Sequence, residues 1–352
     1  MSTIAVNAIT DASGGNAASI NGATPTTDNT MGRNRIINGD MRIDARNAGA
    51  SVTPTDGQYT LDRWRCLQAV SSKYSAQQSS VAPSGFSNSF LATSLSAYSV
   101  GSSEYFVVEQ KVEGFNFADF AWGTASAATV TLSFWVRSSL TGTFGGAFRN
   151  SAANRSYPFT YTISAANTWE QKTVTVAGDT TGTWVGATNG VGVEIKFGLG
   201  VGSTLSGTAG AWAGANYLSA TGATSIVGTN GATFYITGVQ LEAGSVATSF
   251  ERRMYGQELA LCQRYYSTEP QFSFIGYSTT TNAVESRVSL KASMRAAPTI
   301  SVANNGTLNF SSLTTRYITT EGFSIYIVPS SSGMAGLGNG GAYSNWTASA
   351  EL

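Results

Sequence analysis

A strand followed directly by a helix is the clearest feature in the hydrophobic pattern of this chain. Over residues 233–242, apolar residues alternate with small or polar ones, as in a strand with one buried face. Within residues 254–266, apolar side chains recur at helical spacing, at Tyr255, Leu259, Cys262 and Tyr266. Strand-like sequence lies on both sides. The segment therefore predicts the last strand of one β domain, joined by a linking helix to a second domain.

Strand patterns fill residues 36–253, and no helical period separates them. The predicted strands are residues 60–67, 86–91, 104–112, 130–137, 169–176, 192–198 and 233–242. Gly, Ser and Asn lie between these strands, and Asn38-Gly39 is a tight-turn signal. The pattern predicts an all-β fold, an antiparallel β-sandwich of the jelly-roll type, in which the long interval 199–232 is a surface loop.

The two ends of the chain differ from its middle. Residues 1–35 are rich in Ala, Asn, Thr, Ser and Gly, and they cannot bury enough apolar surface to fold alone. This segment is either a disordered tail or an extended arm, and Ile4, Val6 and Ile9 favour an arm that orders against a neighbouring surface. Residues 267–352 return to an alternating pattern, so they predict a small C-terminal β domain.

Composition and charge narrow the class of protein. Charged residues make up 11% of the 352 residues, against about a quarter in ordinary globular chains. The formal net charge is zero, so nothing attracts the chain to nucleic acid or to an anionic membrane. No apolar run approaches the ~20 residues of a membrane span, and the N-terminus lacks the features of a signal peptide. We expect a protein made in a cytoplasm that neither inserts into a membrane nor binds nucleic acid.

The chain has no histidine and two cysteines, Cys66 and Cys262. Without histidine, Ser-His-Asp and Cys-His catalysis is impossible, and transition-metal sites are disfavoured. The cysteines form either a disulfide or two buried thiols, and synthesis in a cytoplasm favours the thiols. The composition thus excludes the commonest hydrolase mechanisms.

Several short motifs mark the boundaries of the predicted domains. At the junction these are Gly-Val-Gln-Leu-Glu at 238–242, Ser-Phe-Glu-Arg-Arg at 249–253 and Tyr-Gly-Gln-Glu-Leu-Ala-Leu-Cys-Gln-Arg-Tyr-Tyr at 255–266. The others are Asn-Gly-Asp-Met-Arg-Ile at 38–43, Leu-Asp-Arg-Trp at 61–64, Met-Arg-Ala-Ala-Pro at 294–298 and the terminal Ala-Glu-Leu at 350–352. Together they resemble the domain motifs of bacteriophage tail-fibre and receptor-binding proteins, outside the N-terminal segment and the wide loops.

This resemblance implies a structural virion protein without catalytic residues. It implies a homotrimer in a phage tail, assembled in the host cytoplasm, that adsorbs to a bacterial surface polysaccharide. Residues 1–35 would attach it to a tail adaptor or nozzle, through Ile4, Val6 and Ile9. In a trimer, Leu259, Cys262 and Tyr266 would line a three-fold seam, although packing of the helix onto a sheet explains that stripe equally well.

Two alternative functions remain open. The first is a head fibre or capsid-decoration protein with the same scaffold, whose N-terminal arm would bind the capsid. The second is a glycan depolymerase, which is disfavoured because acidic residues are sparse and a β-helix repeat is missing.

Tryptophans are the first candidates for contact with a sugar, because an aromatic face packs on the C–H face of a sugar ring. Trp184 and Trp212 lie in Gly-rich stretches with few apolar neighbours, so we predict them as glycan contacts. Trp135 lies within an alternating apolar run and Trp169 opens a strand, so both are expected in the core.

Acidic residues suggest two further kinds of site. Glycoside hydrolysis needs two carboxyl groups on either side of the bond, and the candidates are Asp62, Glu109, Glu113, Glu194 and Glu242. The sequence does not bring any two of them together, and solvated or ion-paired carboxylates are the simpler interpretation. Carbohydrate-binding jelly rolls often hold a structural calcium ion, for which Asp40, Asp62 and Glu242 are the candidate ligands, although no Asp-rich loop is present.

The basic pair Arg252-Arg253 precedes the predicted helix. It either fixes the start of the helix against Glu251 or a neighbouring subunit, or remains solvated. The glycines at 198, 200 and 202 imitate a dinucleotide fingerprint, but loop sequence follows them where the fingerprint requires a helix. We therefore do not expect a nucleotide site.

Overall fold

The chain is almost entirely β in this computed structural model, which describes residues 32–279, 282–303, 305, 308–338 and 344–352. The predicted attachment residues Ile4, Val6 and Ile9 lie outside the described residues. Among the described residues, no helix is both long enough and apolar enough to cross a membrane.

Two sheets form a large sandwich in the first part of the chain. Its strands are β1 (Gln58–Leu61), β2 (Trp64–Gln68), β3 (Tyr74–Ser79), β4 (Ser89–Ser94), β5 (Tyr105–Glu113), β6 (Val130–Ser138), β7 (Gly142–Arg149), β8 (Ser156–Ile163), β9 (Glu170–Val176), β10 (Val191–Val201), β11 (Ser206–Gly207), β12 (Ser219–Ala220) and β13 (Thr233–Ala243). The six-stranded sheet has the order β1-β2-β5-β10-β7-β8, and the five-stranded sheet has the order β3-β4-β13-β6-β9. The short strands β11 and β12 lie outside these two sheets and form a two-stranded parallel sheet. Most connections cross between the two large antiparallel sheets, which confirms the predicted all-β sandwich.

The main core fills the space between the two sheets. Alternate residues of β6 point into it, at Leu132, Phe134 and Val136. Phe134 packs edge to face on Phe197 of β10, with ring centroids 5.1 Å apart. Each such buried side chain contributes about 1.5–3 kcal/mol relative to exposure. Since these residues take the inner face, the intervening residues of β6 must lie on the outer face of the five-stranded sheet.

The structure corrects one strand prediction and one loop prediction, and it contains strands that were not predicted. Residues 60–67 are not one strand: β1 and β2 form a hairpin that turns at Arg63, whose φ is 70°. Strands β3, β7 and β8 were not predicted, because β3 is largely polar and β7 is rich in glycine. The interval 199–232 is not a free loop, since Leu218, Ile226 and Val227 are buried.

The linking helix α1 (Tyr255–Gln263) is shorter than the predicted 254–266, because Tyr266 already begins the next strand. Cys262 is buried with Ile37 and Ile43, and Leu259 packs against the same cluster. The apolar stripe of the helix is thus covered largely by its own chain. Cys66 is also a buried thiol, but it lies in the main core, away from the cluster that contains Cys262.

A second, smaller β region follows the helix. Its strands are β14 (Tyr266–Phe272), β15 (Phe274–Ser278), β16 (Val284–Ser289), β17 (Thr299–Ala303), β18 (Phe310–Thr319), β19 (Gly322–Pro329), β20 (Gly333–Leu337) and β21 (Ser344–Ser349). They form the sheets β14-β21-β17, β15-β20 and β16-β19-β18. Phe323, Ile325 and Trp346 are fully buried in a core that is separate from the sandwich core.

The sequence motifs at the junction bind one another. The carboxylate of Glu251 accepts hydrogen bonds from the backbone N–H groups of Gly32 (2.8 Å) and Asn34 (2.6 Å). Arg253 pairs with Glu258 of α1 (3.3 Å) and donates to the carbonyl oxygen of Ile36 (3.0 Å). Arg253 therefore fixes the start of the helix, but through Glu258 rather than Glu251. Arg252 remains exposed.

The last residues of the sequence contact the sandwich. The carboxylate of Glu351 pairs with Arg46 (2.6 Å) and with the fully buried Arg63. The hydroxyl of Tyr59 donates to the carbonyl oxygen of Leu352 (2.8 Å). These contacts join the end of the chain to the hairpin of β1 and β2.

Candidate functional site

A groove of about 420 Å³ lies on the outer face of the five-stranded sheet. Trp135 of β6 and Gln171 of β9 are register partners and line its sheet side. The groove is completed by Phe86, Ser133, Gly238, Ala247, Thr248, Ser249, Phe250 and Arg252. Trp135 is half-buried and lies outside the core in which sequence reasoning placed it. We call this feature the Trp135 groove.

A bulge in β13 brings the aromatic rings of the groove together. The register between β13 and β6 shifts between Thr237 and Gln240, and Gly238 adopts a φ of +60°. A Cβ atom at this position would lie 2.7 Å from the ring of Phe86 and 3.1 Å from the ring of Trp135. The close approach of the two rings therefore requires a glycine, for space as well as for backbone conformation.

Several polar side chains in the groove have no hydrogen-bond or ion-pair partner among the described residues. The Ser133 hydroxyl, the Gln171 amide and the Arg252 guanidinium make no hydrogen bond or ion pair with the described residues. By contrast, Thr248 is engaged, because its hydroxyl donates to Glu242 (2.6 Å). The groove thus combines an aromatic face with unpaired hydrogen-bonding groups, which is the composition of a site for a polar ligand with an apolar face.

Trp184 and Trp212, the predicted glycan contacts, lie together in a different place. With Trp122 they form an edge-to-face cluster whose ring centroids are 4.9–5.6 Å apart. Their indole N–H groups donate to Asp179 (3.0 Å) and to the carbonyl oxygen of Ala177 (2.9 Å). Both residues are half-buried rather than fully exposed. Part of each ring is therefore accessible to solvent, and glycan contact by Trp184 and Trp212 stays a prediction.

The three candidate calcium ligands are engaged by separate protein groups. Asp40 pairs with Arg42, Asp62 accepts a hydrogen bond from the backbone N–H of Ala45 (2.7 Å), and Glu242 accepts two from Thr248. Within the described ranges, no three acidic or cysteine side chains are arranged to hold a metal ion. The structure therefore does not assemble Asp40, Asp62 and Glu242 into one calcium site.

Two of the candidate catalytic carboxylates do meet, on the outer face of the six-stranded sheet. Glu109 and Glu194 both contact the ammonium of buried Lys196, the latter at 3.0 Å. Burial alone would raise the pKa of Glu109, but Lys196, Lys111 and Arg65 together lower it to about 2. A carboxyl with a lowered pKa is poorly suited to the role of proton donor in glycoside hydrolysis.

No protein-family model matches the chain, and no curated protein matches its sequence. Among solved structures, the enzymatically active domain of tailspike protein 4 from bacteriophage CBA120 is similar at 13% identity, over 60% of this chain and 21% of that chain, with a TM-score of 0.33. The family 11 carbohydrate-binding module of a Clostridium thermocellum cellulase is similar at 13% identity, over 57% and 99%, with a TM-score of 0.28. At these TM-scores the similarities establish neither a family nor a ligand for this chain.

The described residues form an all-β sandwich with a groove on the outer face of one sheet. This groove combines aromatic rings with polar side chains that have no hydrogen-bond partner among the described residues.

Proposed function

We propose that this chain is a phage adsorption protein of the tail-fibre type, whose sandwich binds a host-surface glycan in the Trp135 groove. The observation that carries the proposal is the half-buried Trp135 beside the unpaired side chains of Ser133 and Gln171. A sugar ring presents a C–H face that packs on an indole and hydroxyl groups that hydrogen-bond to neighbouring polar groups. The groove supplies both kinds of contact within one surface.

The sequence motifs support the placement in a phage tail. The motifs that resemble tail-fibre proteins are the ones that hold the domain junction, through Glu251 and Arg253. In this proposal, residues 1–35 attach the chain to the tail. Copies in a homotrimer multiply a weak contact at each groove, because linked sites bind with a high effective concentration.

The proposed mechanism is binding without catalysis. The close carboxylates Glu109 and Glu194 are each held by two or more cationic side chains: Arg65 and Lys196 at Glu109, and Arg149, Lys111 and Lys196 at Glu194. This arrangement supports a structural ion network, and neither carboxylate lines the Trp135 groove.

The proposal is tested by binding of the labelled chain to a panel of bacteria, before and after periodate oxidation of surface glycans. We expect binding to a susceptible strain, loss of binding after periodate treatment, and a reduction of about tenfold or more with Trp135→Ala. Trp169→Ala is the matched control, since Trp169 is half-buried, packs on Tyr235 (6.0 Å) and does not line the groove.

Two results would overturn the proposal. The first is binding that survives periodate treatment. The second is a Trp135→Ala variant that binds as well as the unchanged chain.

A further inference from the structure

We propose that the Trp135 groove takes an acidic sugar, a ring that carries a carboxylate, and that Arg252 binds this carboxylate. The inference rests on the proposed function and adds the chemical class of the ligand. Its starting observation is the charge of the groove: of the ten residues that line it, Arg252 alone is charged.

The charge of Arg252 is not compensated by an ion pair with a described residue. The three acidic residues nearest to it in sequence are all engaged elsewhere, and one of them, Glu258, pairs with Arg253. Glu251 accepts hydrogen bonds from the backbone of Gly32 and Asn34, and Glu242 accepts from Thr248 and Gln240. Arg252 forms no ion pair with any described residue. An exposed cation beside an aromatic surface attracts an anionic ligand and gains affinity when that ligand displaces water.

The guanidinium of Arg252 is also held in position. It lies over the ring of Phe86, 4.6 Å from the centroid, and 5.7 Å from the centroid of Phe250. These two rings pack edge to face, 5.2 Å apart, so they form a fixed support. No N–H group of Arg252 is bonded to a described residue, so these groups are available to a ligand. A planar guanidinium edge matches the two oxygens of a carboxylate, which it binds through two parallel hydrogen bonds.

The remaining groups of the groove fit the rest of such a ligand. Trp135 offers its indole surface to the C–H face of the ring, and the Gln171 amide offers both a donor and an acceptor to ring hydroxyls. The absence of a carboxylate among the lining residues removes the repulsion that an acidic sugar would otherwise meet. A ring with a carboxylate, such as a hexuronate, uses all three groups at once, whereas a neutral hexose leaves Arg252 unused.

Titration calorimetry on the full chain tests this inference with defined probes. The acidic probes are oligogalacturonate, oligomannuronate and oligosialic acid; the neutral probes are the carboxyl-reduced forms of the same oligosaccharides. We expect at least one acidic probe to bind, and its carboxyl-reduced form to bind about tenfold more weakly or worse. Added salt should weaken binding of the acidic probe.

Two arginine variants separate recognition from general charge effects. Arg252→Gln should bind the acidic probe about tenfold more weakly than the unchanged chain does, and it should bind the neutral form equally well. Arg316→Gln is the matched control, because Arg316 is also exposed, lies over an aromatic ring (Tyr326, 3.5 Å) and has no ion pair with a described residue. It should bind like the unchanged chain.

The outcomes distinguish this inference from the proposed function. Binding of neutral probes that depends on Trp135 but not on Arg252 would overturn the acidic-sugar inference and leave the glycan-binding function standing. Failure of every acidic probe would overturn the inference as well. Failure of all probes, together with cell binding that survives periodate, would overturn both.

Discussion

Asp62 is a buried residue whose ionisation couples the stability of the fold to pH. Its side chain is buried, and one carboxylate oxygen accepts a hydrogen bond from Ala45, while the other has no hydrogen-bond partner among the described residues. Burial raises the pKa of this carboxyl from 3.8 to about 6, although Arg46 acts in the opposite direction. The folded state therefore holds the proton more tightly than the unfolded chain. The resulting stabilisation is complete below the unfolded pKa of 3.8 and is lost as the pH rises through about 6.

Replacing Asp62 with Asn removes the buried charge and keeps an oxygen that can accept from Ala45. We expect Asp62→Asn to raise the free energy of unfolding by about 1–3 kcal/mol near neutral pH. The gain should shrink towards zero as the pH falls to about 4. Urea unfolding across this pH range measures both effects. Glu285→Gln serves as control, because Glu285 is exposed and has no ion pair with a described residue; a gain at Asp62 that does not change with pH would contradict the account.

The tryptophans show which side-chain positions the sequence could predict and which it could not. Leu132, Phe134 and Val136 already occupy the inner face of their strand, so alternation itself predicts Trp135 on the outer face. That signal was in the sequence, and the core assignment of Trp135 was wrong. The packing of Trp184 on Trp122 was not predictable, because it joins residues 62 positions apart through the tertiary fold.

The element that shapes the Trp135 groove is the bulge in β13. Gly238→Ala would force an L side chain into a left-handed backbone conformation and place its Cβ 2.7 Å from the ring of Phe86. Gly231→Ala meets only the first of these problems, since Gly231 has a φ of +74° and open space around it. We expect a loss of about 1 kcal/mol for Gly231→Ala and about 2–4 kcal/mol for Gly238→Ala.

Chemical denaturation measures the stability of the Gly238→Ala and Gly231→Ala variants, and a binding assay measures their affinity for the glycan. Gly238→Ala should weaken binding at conditions where it remains folded, because Phe86 and Trp135 must move apart. Gly231→Ala should bind normally. Equal losses of stability in the two variants would show that the rings of the groove do not depend on the bulge.

The strands themselves were predicted unevenly. Strands with regular Val, Ile and Phe positions, such as β5, β6 and β13, appear within one or two residues of their predicted ranges. The strand β7, Gly142–Arg149, was missed because three of its eight residues are glycines. Glycine carries no side chain to pack and so gives no hydrophobic alternation, although β7 is an internal strand of its sheet, between β10 and β8.

At the scale of the whole molecule, Glu351 ties the end of the chain to the sandwich. Its carboxylate is almost fully buried between Arg46 and Arg63. Glu351→Gln leaves the cation of Arg63 buried without its partner, which costs about 3–5 kcal/mol. In calorimetry of the Glu351→Gln variant, we expect the C-terminal region to unfold at a lower temperature than the sandwich. Glu321→Gln, an exposed substitution in the same region, should leave the transition unchanged.

A single unshifted transition for Glu351→Gln would contradict this role of the C-terminus. The terminal Ala-Glu-Leu motif was visible in the sequence, but its partner Arg63 lies 288 positions away and could not be assigned from spacing. Long-range ion pairs of this kind depend on how the two β regions are arranged, and alternation patterns carry no information on that arrangement.

The central claim is that a glycan binds on the outer face of the five-stranded sheet by packing on Trp135. An NMR titration of the indole N–H signals, with the oligosaccharide that binds best, tests it most directly. The account predicts that the Trp135 signal shifts while those of the buried Trp64 and Trp346 stay in place. Shifts confined to Trp184 and Trp212, with Trp135 unmoved, would contradict it.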